Sequence, residues 1–108
     1  MGLRYYQRGN ASRVQAELYR VLVNDGFLAD VEFVADGCRV DVVVHDEHEV
    51  LVAIECKRGR SRSFKEWCEL RQGKRYLALG VPVLLCRTTD EIPKTVQQVR
   101  RLIVGAEV

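Results

Sequence analysis

The chain lacks the features that staple, anchor or subdivide many small proteins. Its four cysteines, Cys38, Cys56, Cys68 and Cys86, include no C-x-x-C pair and stand far apart among mostly apolar neighbours. That distribution suits buried reduced thiols better than a disulfide framework or a zinc site, and a cytoplasmic location is the expectation. The opening Met-Gly-Leu-Arg-Tyr-Tyr-Gln-Arg has no apolar run of the kind a signal peptide needs. No apolar stretch approaches the roughly 20 residues that cross a bilayer, so a soluble protein is expected. Repeats, low-complexity tracts and linkers are also missing, so residues 1–108 are expected to form one domain. The net charge of +2 is too small to point to any partner.

What is present begins with 47% hydrophobic residues in 108, enough to bury a core without staples. The charges, nearly balanced in total, are segregated along the chain. From Asp25 to Glu55 nine acidic residues are opposed only by Arg39, whereas from Lys57 to Arg75 eight basic residues face Glu66 and Glu69. Clustered Lys and Arg offer an electrostatic footprint for a polyanion, whose condensed counterions are released when phosphates are neutralised. A solvated charged face is the other reading of such a cluster, and charge alone does not choose between them.

Ser12 and Gln15 form a capping-box pattern, followed by Val14, Leu18, Val21 and Leu22 at helical spacing and by Gly26, which predicts a first helix. Three strands in a meander are predicted next. Leu28 to Ala35 ends at the turn pair Asp36-Gly37, Cys38 to His45 is rich in valine, and the polar run 46–49 separates it from Val50 to Lys57. Ser63 and Glu66 suggest a second helix from Phe64 to Leu79, stopped by Gly80. Val81 to Cys86 is continuously apolar, as in a strand covered on both faces and lying inside a sheet, with Pro82 near its start. Pro93 suits the first turn of a final helix in which Ile92, Val96, Val99 and Ile103 face inward while Lys94, Arg100 and Arg101 stay wet. The predicted order is α-β-β-β-α-β-α, an α/β fold with a mixed central sheet flanked by helices.

Two of these strands carry charges where valines would be expected. Alternation in Arg39-Val40-Asp41-Val42-Val43-Val44 places Arg39, Asp41 and Val43 on one face and Val40, Val42 and Val44 on the other. An unpaired carboxylate buried there costs several kcal/mol, so Asp41 needs a cation, a hydrogen-bonding partner or water. Glu55-Cys56-Lys57 repeats the anomaly at the end of the next strand, and it is the one place in the chain where an acid precedes a lysine by two positions. If the two strands pair, Asp41, Glu55 and Lys57 converge. Two carboxylates with open coordination positions suit Mg2+, which polarises a phosphoryl group and activates a bound water. Lys57 is then the group that orients or deprotonates that water, or that stabilises charge on the phosphate. Salt bridges at a sheet edge are the alternative.

Asp41, a hairpin and Glu55-Cys56-Lys57 in this element order resemble the restriction-endonuclease-like, or PD-(D/E)XK, nuclease superfamily. Over nearly the whole chain the likeness is to small stand-alone VRR-NUC and Holliday-junction-resolvase members. Val40 stands where the motif's proline would be. The resemblance implies a Mg2+-dependent DNA endonuclease, with Mn2+ able to substitute and no organic cofactor, acting as a homodimer on branched DNA. Exonuclease, nicking, mismatch or restriction cleavage, or DNA binding without cleavage, are the alternatives. It makes Asp41, Glu55 and the Cys56 carbonyl metal ligands and Lys57 the catalytic lysine. Glu17, within the first helix's apolar stripe, is a further candidate ligand by resemblance, with pairing to Arg13 or Arg20 as the alternative. Gln72 and Tyr76 form a Q-x-x-x-Y pattern similar to that of RecB-type nucleases, with Gln72 positioning water or phosphate and Tyr76 assigned to the core. Arg39, Arg58, Arg60, Arg62, Lys65, Lys74 and Arg75 are the candidate phosphate contacts. His45 and His48 are expected to be solvated, and Arg4 to Arg8 to form an ordinary terminus.

Overall fold

The computed structural model describes residues 10–35, 37–56, 66 and 71–105, with residues 10–12, 71 and 72 described by backbone alone. Helix α1 spans Asn10–Asn24, strands β1, β2 and β3 span Leu28–Ala35, Cys38–His45 and Val50–Glu55, and helix α2 spans Arg71–Leu77. Strand β4 (Val83–Leu85), a 3-10 turn (Thr89–Glu91) and helix α3 (Ile92–Val104) complete the order. The result is an α/β fold with a four-stranded mixed sheet in the order β1-β2-β3-β4. The first three strands form the expected antiparallel meander and β4 runs parallel to β3. Among the described residues no helix is long and apolar enough to cross a membrane.

Local chemistry explains where the elements stop. Gly26 has φ 97°, its N–H donates to the Val23 carbonyl, and the Phe27 N–H donates to Leu22 at 3.0 Å. This 6→1 and 5→2 pair is a Schellman closure, and it sends Phe27 back onto the core that holds Leu22. Because α1 already includes Asn10, Ser12 lies inside the helix and not at its cap, while Gln15 turns inward and is buried. The β2–β3 turn is fixed by Asp46, whose Oδ1 accepts from the N–H groups of His48 (2.7 Å) and Glu49 (2.8 Å). Those two donors hold the exposed Asp46 carboxyl below its ordinary value.

The sheet is covered on both faces. Val42, Val44, Val52 and Ile54 pack with Leu18 and Leu22 of α1 and with Val96 and Val99 of α3. On the opposite face Cys38, Val43 and Ala53 pack with Tyr76 of α2. In α3 the stripe of Ile92, Val96 and Val99 is buried, and Lys94, Arg100 and Arg101 are exposed, as the periodicity predicts. Arg100 also clasps the end of α1. Its Nη2 lies 2.6 Å from Asp25 Oδ2, and its guanidinium stands 5.4 Å from the centre of the Phe27 ring.

Two further expectations need correction. The apolar run after Pro82 is not inside the sheet: β4 is its edge, and the run is continuous because Leu84 packs on one core while Val83 and Leu85 pack on the other. The helix predicted from Phe64 agrees where it is described, being helical at Glu66 and across Arg71–Leu77 and ending before Gly80 at φ 78°. Strict alternation also fails in β2, because Val40 packs with Val43 on the Tyr76 side while Val42 packs on the other. The break faces Glu32, which has φ 53°; the flanking pairs Val31 with Val42 and Phe33 with Val40 form, but Glu32 and Asp41 do not pair. A non-glycine residue in that conformation costs on the order of 1–3 kcal/mol and persists only where its surroundings hold it.

Candidate functional site

The interrupted ladder creates the site. Asp41 has no Glu32 partner across the ladder, and its N–H takes the Tyr76 hydroxyl instead, at 3.0 Å. The same hydroxyl donates to Glu55 Oε1 at 2.6 Å. The β2–β3 register pairs Val42 with Ile54, so one step further along the strands Asp41 faces Glu55. Asp41 Oδ2 in turn accepts the Cys56 N–H at 2.8 Å. Two acids from adjacent strands are thereby fixed by one phenol and one backbone amide, with Glu55 only 4% exposed and Tyr76 fully buried.

Such a pair cannot comfortably carry two negative charges. Burial and the neighbouring Glu55 carboxylate push the Asp41 carboxyl up to about 7, against the lowering effect of the Cys56 N–H. A hydrogen bond to Glu55 and the charge of Glu32 push the same way. The Asp41 carboxyl therefore keeps its proton up to near neutral pH. Burial, helped by both carboxylates, drives Tyr76 far above the ordinary phenol range, so its hydroxyl stays protonated and remains a donor. The Cys56 thiol is pushed well up, chiefly by burial, and is an inert core group and not a nucleophile.

The structure brings together Asp41, Glu55 and Cys56 of the residues singled out from the sequence. Glu17 is elsewhere: it pairs with Arg20 Nη2 and borders a groove between α1 and α3 with Val21, Pro93 and Arg100. Placed on the same side of its helix as the apolar stripe, it is a rim residue of that groove and not a third carboxylate beside Asp41. Lys57, Arg58, Arg60, Arg62 and Lys65 lie outside the described residues, as does the side chain of Gln72. Arg39 is engaged by Glu32 in an ion pair at 3.0 Å, without hydrogen-bond geometry at Oε1. Lys74 and Arg75 are exposed on α2, and Arg75 Nη1 reaches the Gly37 carbonyl at 3.4 Å. His45 is not simply solvated: it is partly buried, with Nε2 3.1 Å from Asp30 Oδ2, whereas His48 is exposed.

Two residues hold the site without having been assigned to it from the sequence. Tyr76 belongs to the core, as expected, but it also holds both acids; the Gln72-x-x-x-Tyr76 spacing was the signal for it. Glu32 was one acid among nine in its stretch, and nothing local distinguished it. Among the described residues no group of three or more His, Cys, Asp or Glu side chains is placed to hold a metal ion. Any cation here would rest on two carboxylates, with backbone, water or substrate oxygens completing its shell.

Fold and site together define an α/β domain in which two acids on adjacent strands are held by a buried phenol and a backbone N–H. Compared with protein-family models, curated proteins and solved structures, the chain matches none.

Proposed function

We propose that the chain is a Mg2+-dependent DNA endonuclease of the restriction-endonuclease-like kind, acting on branched DNA as a homodimer. The observation that carries the reading is the Asp41–Glu55 pair, a half-buried and a buried acid on adjacent strands held by Tyr76 and the Cys56 N–H. A hard divalent ion fits this donor set. It is typically held by one or two carboxylates plus waters and phosphate oxygens, and it would take the place of the proton that Asp41 keeps near neutrality. When bound it supplies charge to polarise a phosphodiester and to activate a water.

The chain's own residues have separable roles in this reading. Asp41 and Glu55 would hold the ion, with the Cys56 carbonyl as a further ligand. Tyr76 fixes the Glu55 carboxylate by donating to Oε1, and the Cys56 N–H fixes Asp41 Oδ2, so neither acid has to be oriented when substrate arrives. Lys57, next after Cys56, orients or deprotonates the attacking water or stabilises charge on the phosphate. The basic run behind it neutralises neighbouring phosphates, which brings affinity and salt dependence, not sequence readout.

The test is a panel of a four-way junction, a flap, a linear duplex and a single strand, each incubated with Mg2+ or Mn2+. Cleavage with preference for the junction is expected, and Asp41→Ala, Glu55→Ala and Lys57→Ala should each abolish it while retaining the fold. Normal cleavage by Glu55→Ala overturns the mechanism. A preference for linear ends moves the reading to an exonuclease, and binding without cleavage under either metal moves it to a DNA-binding module.

A further inference from the structure

The sheet ends at β4 in an edge that the acid pair does not use. The Pro82 carbonyl accepts the Ala53 N–H at 3.0 Å, Leu84 is in register with Ile54, and the Cys86 N–H donates to the Glu55 carbonyl at 2.9 Å. Successive residues of a strand turn their N–H and C=O groups to opposite neighbours, so Pro82, Leu84 and Cys86 serve β3 while Val83 and Leu85 present theirs outward. Among the described residues nothing pairs with those four groups. Beside this edge, on the side of the sheet that α1 and α3 cover, a cleft of about 380 Å3 separates β4 from α3, and Arg87, Glu91, Lys94, Thr95 and Gln98 line it together with the strand. Thr95, Gln98 and Leu102 recur along α3 at spacings of three and four, so the exposed Leu102 continues that wall away from Lys94.

We propose that β4 and α3 take up an acidic polypeptide segment of a partner protein, which adds to the sheet as a fifth strand; this surface is independent of the nuclease reading. Backbone geometry is the first reason. An extended chain offers N–H and C=O groups at the repeat of the open edge, and it lays alternate side chains into a neighbouring groove. Charge is the second. Lys94 is exposed at the rim and Arg87 lines the same wall, whereas the one acid there, Glu91, is turned to the backbone, its Oε1 accepting the Arg87 N–H at 2.7 Å. A second copy joined edge to edge would bring the Arg87 and Lys94 residues of both copies into one seam, an arrangement of like charges that opposes association. Spacing then specifies the segment. Lys94 and Leu102 are eight positions apart, about 12 Å along a helix, which is about the length of four residues in a strand. The segment therefore carries a carboxylate for Lys94 and an apolar side chain for Leu102 four positions apart, both on the face turned to α3.

The experiment is fluorescence anisotropy of a fluorescein-labelled peptide, Thr-Leu-Thr-Thr-Thr-Glu-Thr, titrated with the full chain beside the same peptide carrying Lys in place of Glu. The acidic peptide should bind, the basic one should bind about tenfold more weakly or worse, and Lys94→Glu should reverse their order. Backbone methylation separates strand addition from attraction between charges. Methyl groups on one alternate set of peptide nitrogens should abolish binding, while the same number on the other set should leave it unchanged, because only one set faces β4. Val83→Pro removes one outward N–H and no bond to β3, and should lower affinity by about tenfold, the worth of one edge hydrogen bond. If Val83→Pro does not fold, the two methylated peptides decide the matter. Equal binding of the two methylated peptides, or of the acidic and basic peptides, overturns the proposal, as does a wild type that binds neither peptide. A dimer in sedimentation that Val83→Pro dissociates also overturns it, by giving the edge to a second copy.

Discussion

On the side of the sheet covered by α1 and α3, Val42, Val44, Val52 and Ile54 meet Leu18, Leu22, Val96 and Val99 in an apolar layer. On the side covered by α2, Cys38, Val43 and Ala53 share the space with Tyr76, and Tyr76 reaches two acids. The first side has helices of 15 and 13 residues over it, the second a described helix of seven. One face is thus built to exclude water and hold the fold. The other keeps a polar cluster, under a helix whose phenol bonds to Glu55 Oε1 and to the Asp41 N–H. Stability and chemistry are divided between the two faces, and substitutions should separate them.

The largest effect on stability is expected on the apolar face. Ile54→Ala should cost about 2–5 kcal/mol in denaturant unfolding, because it removes fully buried methyl groups and leaves a cavity between β3 and the helices. A loss below about 1 kcal/mol would break the comparison.

Asp41 should respond to pH in the opposite sense from an ordinary salt-bridged carboxylate. Asp41 is raised from 3.8 to about 7 in the folded state, so between those values the native protein keeps a proton that the unfolded chain has released. Stability is then complete below about pH 4 and falls as pH rises through 7, by at most about 4 kcal/mol at about 1.36 kcal/mol per pH unit. Asp41→Asn should flatten that fall and be no less stable than wild type at pH 8, while losing cleavage. Mg2+ should restore stability to the wild type at pH 8, by about 2.7 kcal/mol at a hundredfold excess over its Kd, and chelation should remove the gain. Thermal unfolding with and without EDTA reads both; a wild type whose stability rises from pH 5 to 8 without metal would contradict the proton kept by Asp41.

Tyr76→Phe comes next. It leaves Glu55 Oε1 and the Asp41 N–H without the hydroxyl they share, at a cost of about 1–3 kcal/mol, with a loss of metal affinity on the order of 10–100-fold by calorimetry. The smallest effect belongs to Asp25→Asn, which breaks the exposed clasp to Arg100 and should change stability by no more than about 1 kcal/mol. Were it to exceed Tyr76→Phe, the ranking of the two regions would be reversed.

Most of the architecture is legible in the sequence because local chemistry enforces it. Gly26 and Gly80 end helices, Gly37 and Asp46 close turns, and the stripe Ile92, Val96, Val99 writes the inner face of α3. The pairing of Asp41 with Glu55 is legible too, since two acids set among valines on consecutive hairpin strands have few other places to meet. Other features are not written locally. The face reversal at Val40, the positive φ of Glu32 and the edge position of β4 each depend on which strand or helix lies alongside. Glu17 shows the limit of helical spacing, which puts it on the stripe side of α1 but says nothing of Arg20 and the α3 groove that receive it.

The sequence by itself determined the elements, their order and the two carboxylates, because periodicity, turn chemistry and isolated charges in apolar strands are properties of neighbouring residues. Only the tertiary structure decided that Tyr76 would hold those carboxylates and that Asp41 would keep a proton near neutrality. Both depend on groups 14 to 35 positions apart being buried together, where low dielectric makes each partner's charge count.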